Sequence, residues 1–117
     1  MIEQSFFKEL LAQNIQSCSF AFDAINHENI TNRLNESAAS IGFIYRHIGE
    51  TMHLFGFFFG WPSAVSNTTI GKSDEGQGNN LEESRELIQK GFALLTQIIN
   101  QNQGTDWNEL VETPFFG

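Results

Sequence analysis

Apolar residues recur about every 3.5 positions in three long stretches of this chain, and that period commits each stretch to one apolar face of an α-helix. The densest stretch spans residues 40–56, where Ile41, Tyr45, Ile48, Met52 and Phe55 share a face that continues to Phe59. His47, His53, Tyr45, Arg46 and Glu50 ride on the same segment, so core-forming and reactive residues are mixed there more closely than elsewhere. An earlier stretch, about Ser5 to Asn26, repeats Phe7, Leu11, Asn14, Cys18, Phe22 and Ile25. A later one, Leu81 to about Asn100, repeats Leu81, Ser84, Ile88, Gly91, Leu95 and Ile98. Gly91 lowers helix propensity by about 1 kcal/mol relative to Ala, a cost that close approach of a neighbouring helix would explain.

The segments between these stretches punctuate them. Residues 27–36 are polar and rich in Asn, and the second helix is expected to begin between Asn35 and Ser40, where Asn and Ser serve as N-caps. Gly56 and Gly60 loosen its end, and Trp61-Pro62 stops it. Residues 63–80 are small, polar and Gly-rich, a long loop of the kind that is functional or mobile. Its Gly71-x4-Gly76 spacing is no phosphate loop, because no Gly-Lys-Ser/Thr closes it and no apolar strand precedes it. Asn80 with Glu83 makes a near capping box for the third helix. Beyond Gly104, Asp106 and Glu109 could cap a short turn from Trp107 to Val111, and the chain ends on Phe115-Phe116-Gly117. The expected fold is all-α: a single domain over 1–117, an antiparallel up-down bundle of three long helices with a long loop between the second and third. Phe7, Leu11, Phe22, Ile41, Ile48, Met52, Phe55, Ile88, Leu95 and Ile98 are the expected core.

Charge narrows the function classes. Six basic residues against 14 acidic give a net charge of −8. Nucleic-acid affinity comes largely from Lys and Arg neutralising phosphates, so no nucleic-acid partner is expected, and an anionic membrane surface is disfavoured for the same reason. No apolar run approaches the roughly 18 residues of a membrane span, and no basic signal sequence opens the chain. Cys18, the single cysteine, cannot form an internal disulfide and reads as a small buried hydrophobe in a reducing cytoplasm.

Of the reactive residues, His47 stands out. It lies beside the Ile44–Ile48–Met52 seam, with Glu50 at i+3 and Thr51 at i+4. A His and a Glu at that spacing are plausible metal ligands, but the di-iron bundle arrangement needs a second such pair, which this chain lacks. A structural or surface histidine is the alternative reading. His53 reads as a solvated or interface histidine, Arg46–Glu50 as an ordinary surface pair, Tyr45 as core, and Asp74-Glu75 and Glu82-Glu83 as loop and cap charges. No catalytic set is identified.

The run Asn35-Glu36-Ser37-Ala38-Ala39-Ser40-Ile41-Gly42-Phe43-Ile44-Tyr45-Arg46-His47-Ile48 resembles the second-helix motif of the DinB-like (YfiT-like, damage-inducible) superfamily, a Ser-Ile-x-x-hydrophobic-x-x-His pattern. The loop Asn67-Thr68-Thr69-Ile70-Gly71 and the tail Leu110 to Gly117 are similar to that family as well. The resemblance implies a four-helix bundle in which many members hold a divalent metal of the zinc, nickel or iron class through three histidines. His47 matches the first of them. The other two lie in a His-x3-His pair on the last helix, and the sequence stops before that helix, so this chain alone is expected to hold no metal stably. Enzymatic relatives of that kind resemble thiol-dependent S-transferases and isomerases. Two functions follow: a metal-dependent, thiol-using transferase acting on an undetermined small molecule, complete only with a fourth helix, or a non-catalytic bundle acting through dimerisation or partner binding. Either way a groove left by the absent helix favours a symmetric homodimer.

Overall fold

A computed structural model describes residues 2–61 and 63–101, with side chains from residue 5 onward. Among the described residues three helices carry the fold: α1 (Ile2–Asp23), α2 (Ile41–Phe58) and α3 (Leu81–Gln101). Among the described residues the one strand-like pairing is an isolated bridge between Arg33 and Ser40. None of the helices is long and apolar enough to cross a membrane. The readings of Pro62, of the 107–111 turn and of the terminal phenylalanines fall outside the described residues.

The helix ends follow from local chemistry. α1 stops at Asp23, short of the expected Asn26, because the Asn26 side chain turns back to accept from Glu28 N at 2.8 Å and Asn29 N at 3.0 Å. α2 starts after Ser40, whose hydroxyl accepts from Phe43 N at 3.2 Å. At the start of α3 the Asn80 side chain accepts from Glu83 N at 3.0 Å, and its amide reaches back toward Glu83 Oε2 at 3.4 Å, which is the expected capping box.

The packing departs from expectation in two ways. First, the face of α2 that meets α3 is the glycine face. Gly42, Gly49 and Gly56 recur every seven residues, so they stack along one side of the helix. A Cβ on Gly49 would sit 2.9 Å from Leu87 Cβ, and one on Gly56 would sit 2.5 Å from Leu94 Cδ2. From the other side, Gly91 of α3 leaves room for Met52, whose Sδ would lie 2.5 Å from an added Cβ. The expected close approach at Gly91 is therefore real, and α2 takes part in it with Gly49 and Gly56, while Gly42 admits Ile30 and Gly78 of the connecting segments. Of the ten expected core residues, Ile88 and Ile98 are buried, seven are half-buried, and Phe55 is exposed at 43%. The apolar stripe of α2 thus borders the glycine seam, with Met52 meeting Gly91 and Phe55 left outside the contact. The core proper gathers Ile30, Tyr45, Leu81 and Ile88, with Phe22, Ile25, Ile48, Met52 and Phe92 against it. Ile30 belongs to the segment 27–36, which sequence polarity marks as mere linker.

Second, α2 and α3 run parallel. Arg46 meets Glu83, Gly49 meets Leu87, Met52 meets Gly91 and Gly56 meets Leu94, so the contacts ascend together along both chains. By contrast α1 runs against α3: Arg85 donates to Ile25 O at 3.1 Å, while Leu11 and Ile15 lie beside Thr96 and Ile99. The up-down expectation holds for α1 with α3 and fails for α2 with α3. The reason lies in the connection. α2 has 18 residues and is about 27 Å long at about 1.5 Å per residue. The segment 59–80 can cover about 3.3 Å per residue when extended, so it returns along the whole of α2 before α3 begins. Only a short connection forces neighbours to be antiparallel.

Candidate functional site

The returning segment is strapped to α2 by side chains. Glu50 lies on the flank of the glycine seam, with its carboxylate almost wholly buried. Its Oε1 accepts from Thr68 N and Thr69 N, each at 2.9 Å, and from Thr69 Oγ1 at 2.7 Å. Its Oε2 accepts from Thr68 Oγ1 and from Arg46 Nε, the latter at 2.7 Å. Arg46 reaches onward to Glu83 in the first turn of α3. One carboxylate therefore ties α2 to the linker, and Arg46 ties both to α3. Burial pushes the Glu50 carboxyl up, but the hydrogen bonds from Thr68, Thr69 and Arg46 outweigh it and hold the group at about 2, against 4.5 for an ordinary glutamate. For Arg46, burial alone would weaken the charged form, and its bonds to Glu83 and Glu50 reverse that.

A second strap lies nearer the start of α2. The Asp74 carboxylate accepts from Ser40 N at 2.8 Å and from Gly76 N at 2.9 Å, with Arg33 Nη2 at 3.3 Å. Burial raises its carboxyl, and the two backbone donors more than compensate, so it too is held below the usual carboxylate range. Arg46–Glu50 and Asp74 are thus structural anchors, where the sequence suggested surface and loop charges.

The straps deliver Thr69 to His47. His47 Nδ1 lies 3.2 Å from Thr69 Oγ1, and that hydroxyl lies 2.7 Å from Glu50 Oε1. A threonine hydroxyl has one proton, and the carboxylate is the nearer acceptor. Thr69 therefore donates to Glu50 and accepts from His47 Nδ1–H. In neutral His47 this fixes the tautomer and leaves Nε2 as an acceptor with no partner among the described residues. The Phe43 ring lies parallel to the His47 ring at a centroid distance of 6.4 Å.

His47 stands between two open cavities. On the linker side, a space of about 490 Å³ is lined by Phe43, Ile44, His47, Thr69 and Lys72. On the other side, an apolar groove is lined by His47, Ile48, Met52, Phe55 and Leu95. A further cavity of about 260 Å³ separates Leu54 and Phe57 from Val65 and Asn67.

The remaining candidates are placed differently. His53 is buried at 8% exposure, within 3.1 Å of the Leu87 carbonyl at Nε2, so it is a helix-packing histidine and not a solvated one. His27 pairs with Glu82 at 2.9 Å on the surface. Cys18 is half-buried, with Asn14 Oδ1 at 3.6 Å from its sulfur, and so is less enclosed than its place in the stripe suggested. Tyr45 is core, as expected, with its ring 5.0 Å from that of Phe22. As a metal ligand His47 fits as a single donor: it is accessible, oriented by Thr69 and open at Nε2. Among the described residues no three His, Cys, Asp or Glu side chains converge to complete a set. Glu50 cannot join it without releasing the linker. Sequence reading weighed Glu50 as a ligand beside His47 and as a surface charge, and missed its role as the anchor of the linker. Its signal was a carboxylate one position from a glycine seam, opposite a loop bearing adjacent threonines. Comparison with protein-family models, with curated proteins and with solved structures finds no match.

Proposed function

We propose that this chain is a DinB-like helical bundle in which His47 is the first protein ligand of a divalent metal, the other donors arriving on a helix that covers the groove between α2 and α3. The carrying observation is the Glu50–Thr69–His47 relay. It spends a buried carboxylate and a hydroxyl on holding one imidazole with Nε2 outward, which is the usual support of a ligating histidine. A metal of the zinc, nickel or iron class would supply Lewis-acid activation of a small thiol for transfer to its acceptor. Within this chain, Thr69 and Glu50 orient the ring, Phe43 lies parallel to it, and the linker walls one side of the site.

Cobalt(II) titration of the chain, followed by NMR of the three histidine rings, tests this. The expected result is selective perturbation of His47 ahead of His27 and His53, abolished in His47→Ala and weakened in Thr69→Val. Equal response at His27, or none at His47, would refute it.

A second reading has its own observation. Ile44, Phe55 and Phe59 are each about half exposed along one side of α2, and Phe6, Leu10 and Phe20 are exposed on α1. A non-catalytic bundle that covers these residues in a symmetric homodimer accounts for them.

A further inference from the structure

We infer that the cavity between the first half of α2 and the linker turn at 69–73 binds a small organic anion with an apolar portion, Lys72 receiving the anionic group beside His47. The chain carries a net charge of −8, and three of its six Lys and Arg residues are committed to carboxylates: Arg33 to Asp74, Arg46 to Glu50 and Glu83, Lys90 to Glu86. Arg85 donates to Ile25 O. Lys72 has no ion pair among the described residues, and it lines a cavity that His47 shares with the linker. Its position is set by the same anchor that sets His47. Lys72 N donates to Thr69 O at 3.1 Å, and Gly71 turns the chain there with φ +73. Thr69 is held by Glu50 and in turn holds the imidazole. The backbone that carries Lys72 and the imidazole are therefore both tied to Thr69. Asp74, two residues on, spends its oxygens on Ser40 N, Gly76 N and Arg33, so it does not neutralise Lys72. In the same cavity Phe43 and Ile44 supply an apolar wall, with Ile44 51% exposed. A cation over an apolar wall selects a carboxylate or similar anion attached to a hydrophobic body.

This names a substrate class for the site proposed above, and it rests on that reading only for its purpose, since anion capture needs no metal. The test uses the full chain in EDTA, titrated with phenylacetate and followed by the backbone amides of Gly71, Lys72 and Ser73 and by the His47 ring. Saturable shifts at these groups are expected. Phenylacetamide and inorganic phosphate are each expected to bind about ten-fold more weakly, the first for want of charge and the second for want of an apolar body. Lys72→Met should lose about ten-fold in affinity while Lys72→Arg keeps most of it, with circular dichroism unchanged in both. Equal binding of acid and amide, an unaffected Lys72→Met variant, or no saturable shift at tens of millimolar would overturn the inference. Because EDTA is present throughout, its failure leaves the cobalt result standing, and a failed cobalt titration leaves this one standing.

Discussion

Replacing Glu50 by Gln keeps the shape of the side chain and removes its charge, and the buried geometry gives the cost. The folded protein holds the carboxyl at about 2 against an ordinary 4.5. Each ten-fold difference in proton affinity is worth about 1.4 kcal/mol, so the ionised form contributes on the order of 3 kcal/mol to folding. The amide can still accept from Thr68 N and Thr69 N, but its NH2 group would then face Arg46 Nε and compete for the Thr68 hydroxyl. Arg46 keeps Glu83 but loses its buried carboxylate partner, which adds to the loss, so Glu50→Gln is expected to destabilise by about 3 kcal/mol at pH 7.

The pH dependence isolates the group. Because its folded value is depressed, the contribution of Glu50 is fully present above about pH 4.5 and is lost as pH falls toward 2. The gap between wild type and Glu50→Gln in urea denaturation should therefore be constant from pH 7 to 5 and should narrow steadily below 4.5. Subtracting the variant at each pH removes the effect of Asp74, which titrates in both proteins. A gap below about 1 kcal/mol at pH 7, or one that does not narrow on acidification, would refute the account of Glu50 as the linker anchor.

Other expectations follow from contacts on either side of that anchor. A Cβ at Gly78 would collide with the Gly42 carbonyl and Phe43 N, which are backbone and cannot yield, so Gly78→Ala should cost about 2–3 kcal/mol in urea denaturation. Gly91→Ala meets the Met52 sulfur, which can swing away, and at 3.0 Å the Met52 Cβ, which cannot, so the gain of about 1 kcal/mol in helix propensity offsets only part of the clash and the midpoint should fall by less than for Gly78→Ala. Ser84 is fully buried, and its hydroxyl has no hydrogen-bond partner among the described residues, so Ser84→Ala should stabilise by about 0.5–1 kcal/mol in the same assay. Light scattering over a range of concentrations should approach twice the chain mass of 13.2 kDa, with Phe55→Ser shifting it back; a single species at the chain mass would exclude the dimer.

What the sequence disclosed follows from which interactions are local. Helix extents came within a few residues, and the caps at Ser40 and Asn80 were legible, because propensity, period and capping all act over one or two turns. The face and the direction of packing were not. In an apolar tally a glycine counts as a gap, so Gly49 and Gly56 weakened a stripe when they in fact defined the contact with α3. The period of a helix is also the same whichever way its neighbour runs. Direction was settled by the path of the linker, and that path is set by Glu50 and Asp74 accepting backbone N–H groups distant in sequence. A carboxylate four residues from an arginine gives the same local pattern on a surface and in a clasp. What separates the two is the Thr68-Thr69 pair that comes to lie against it, and only a chain long enough to run back along α2 can bring that pair there. The candidate site inherits the same logic: His47 was visible as a residue, while its tautomer, its open nitrogen and its neighbour Lys72 all depend on where the linker is held.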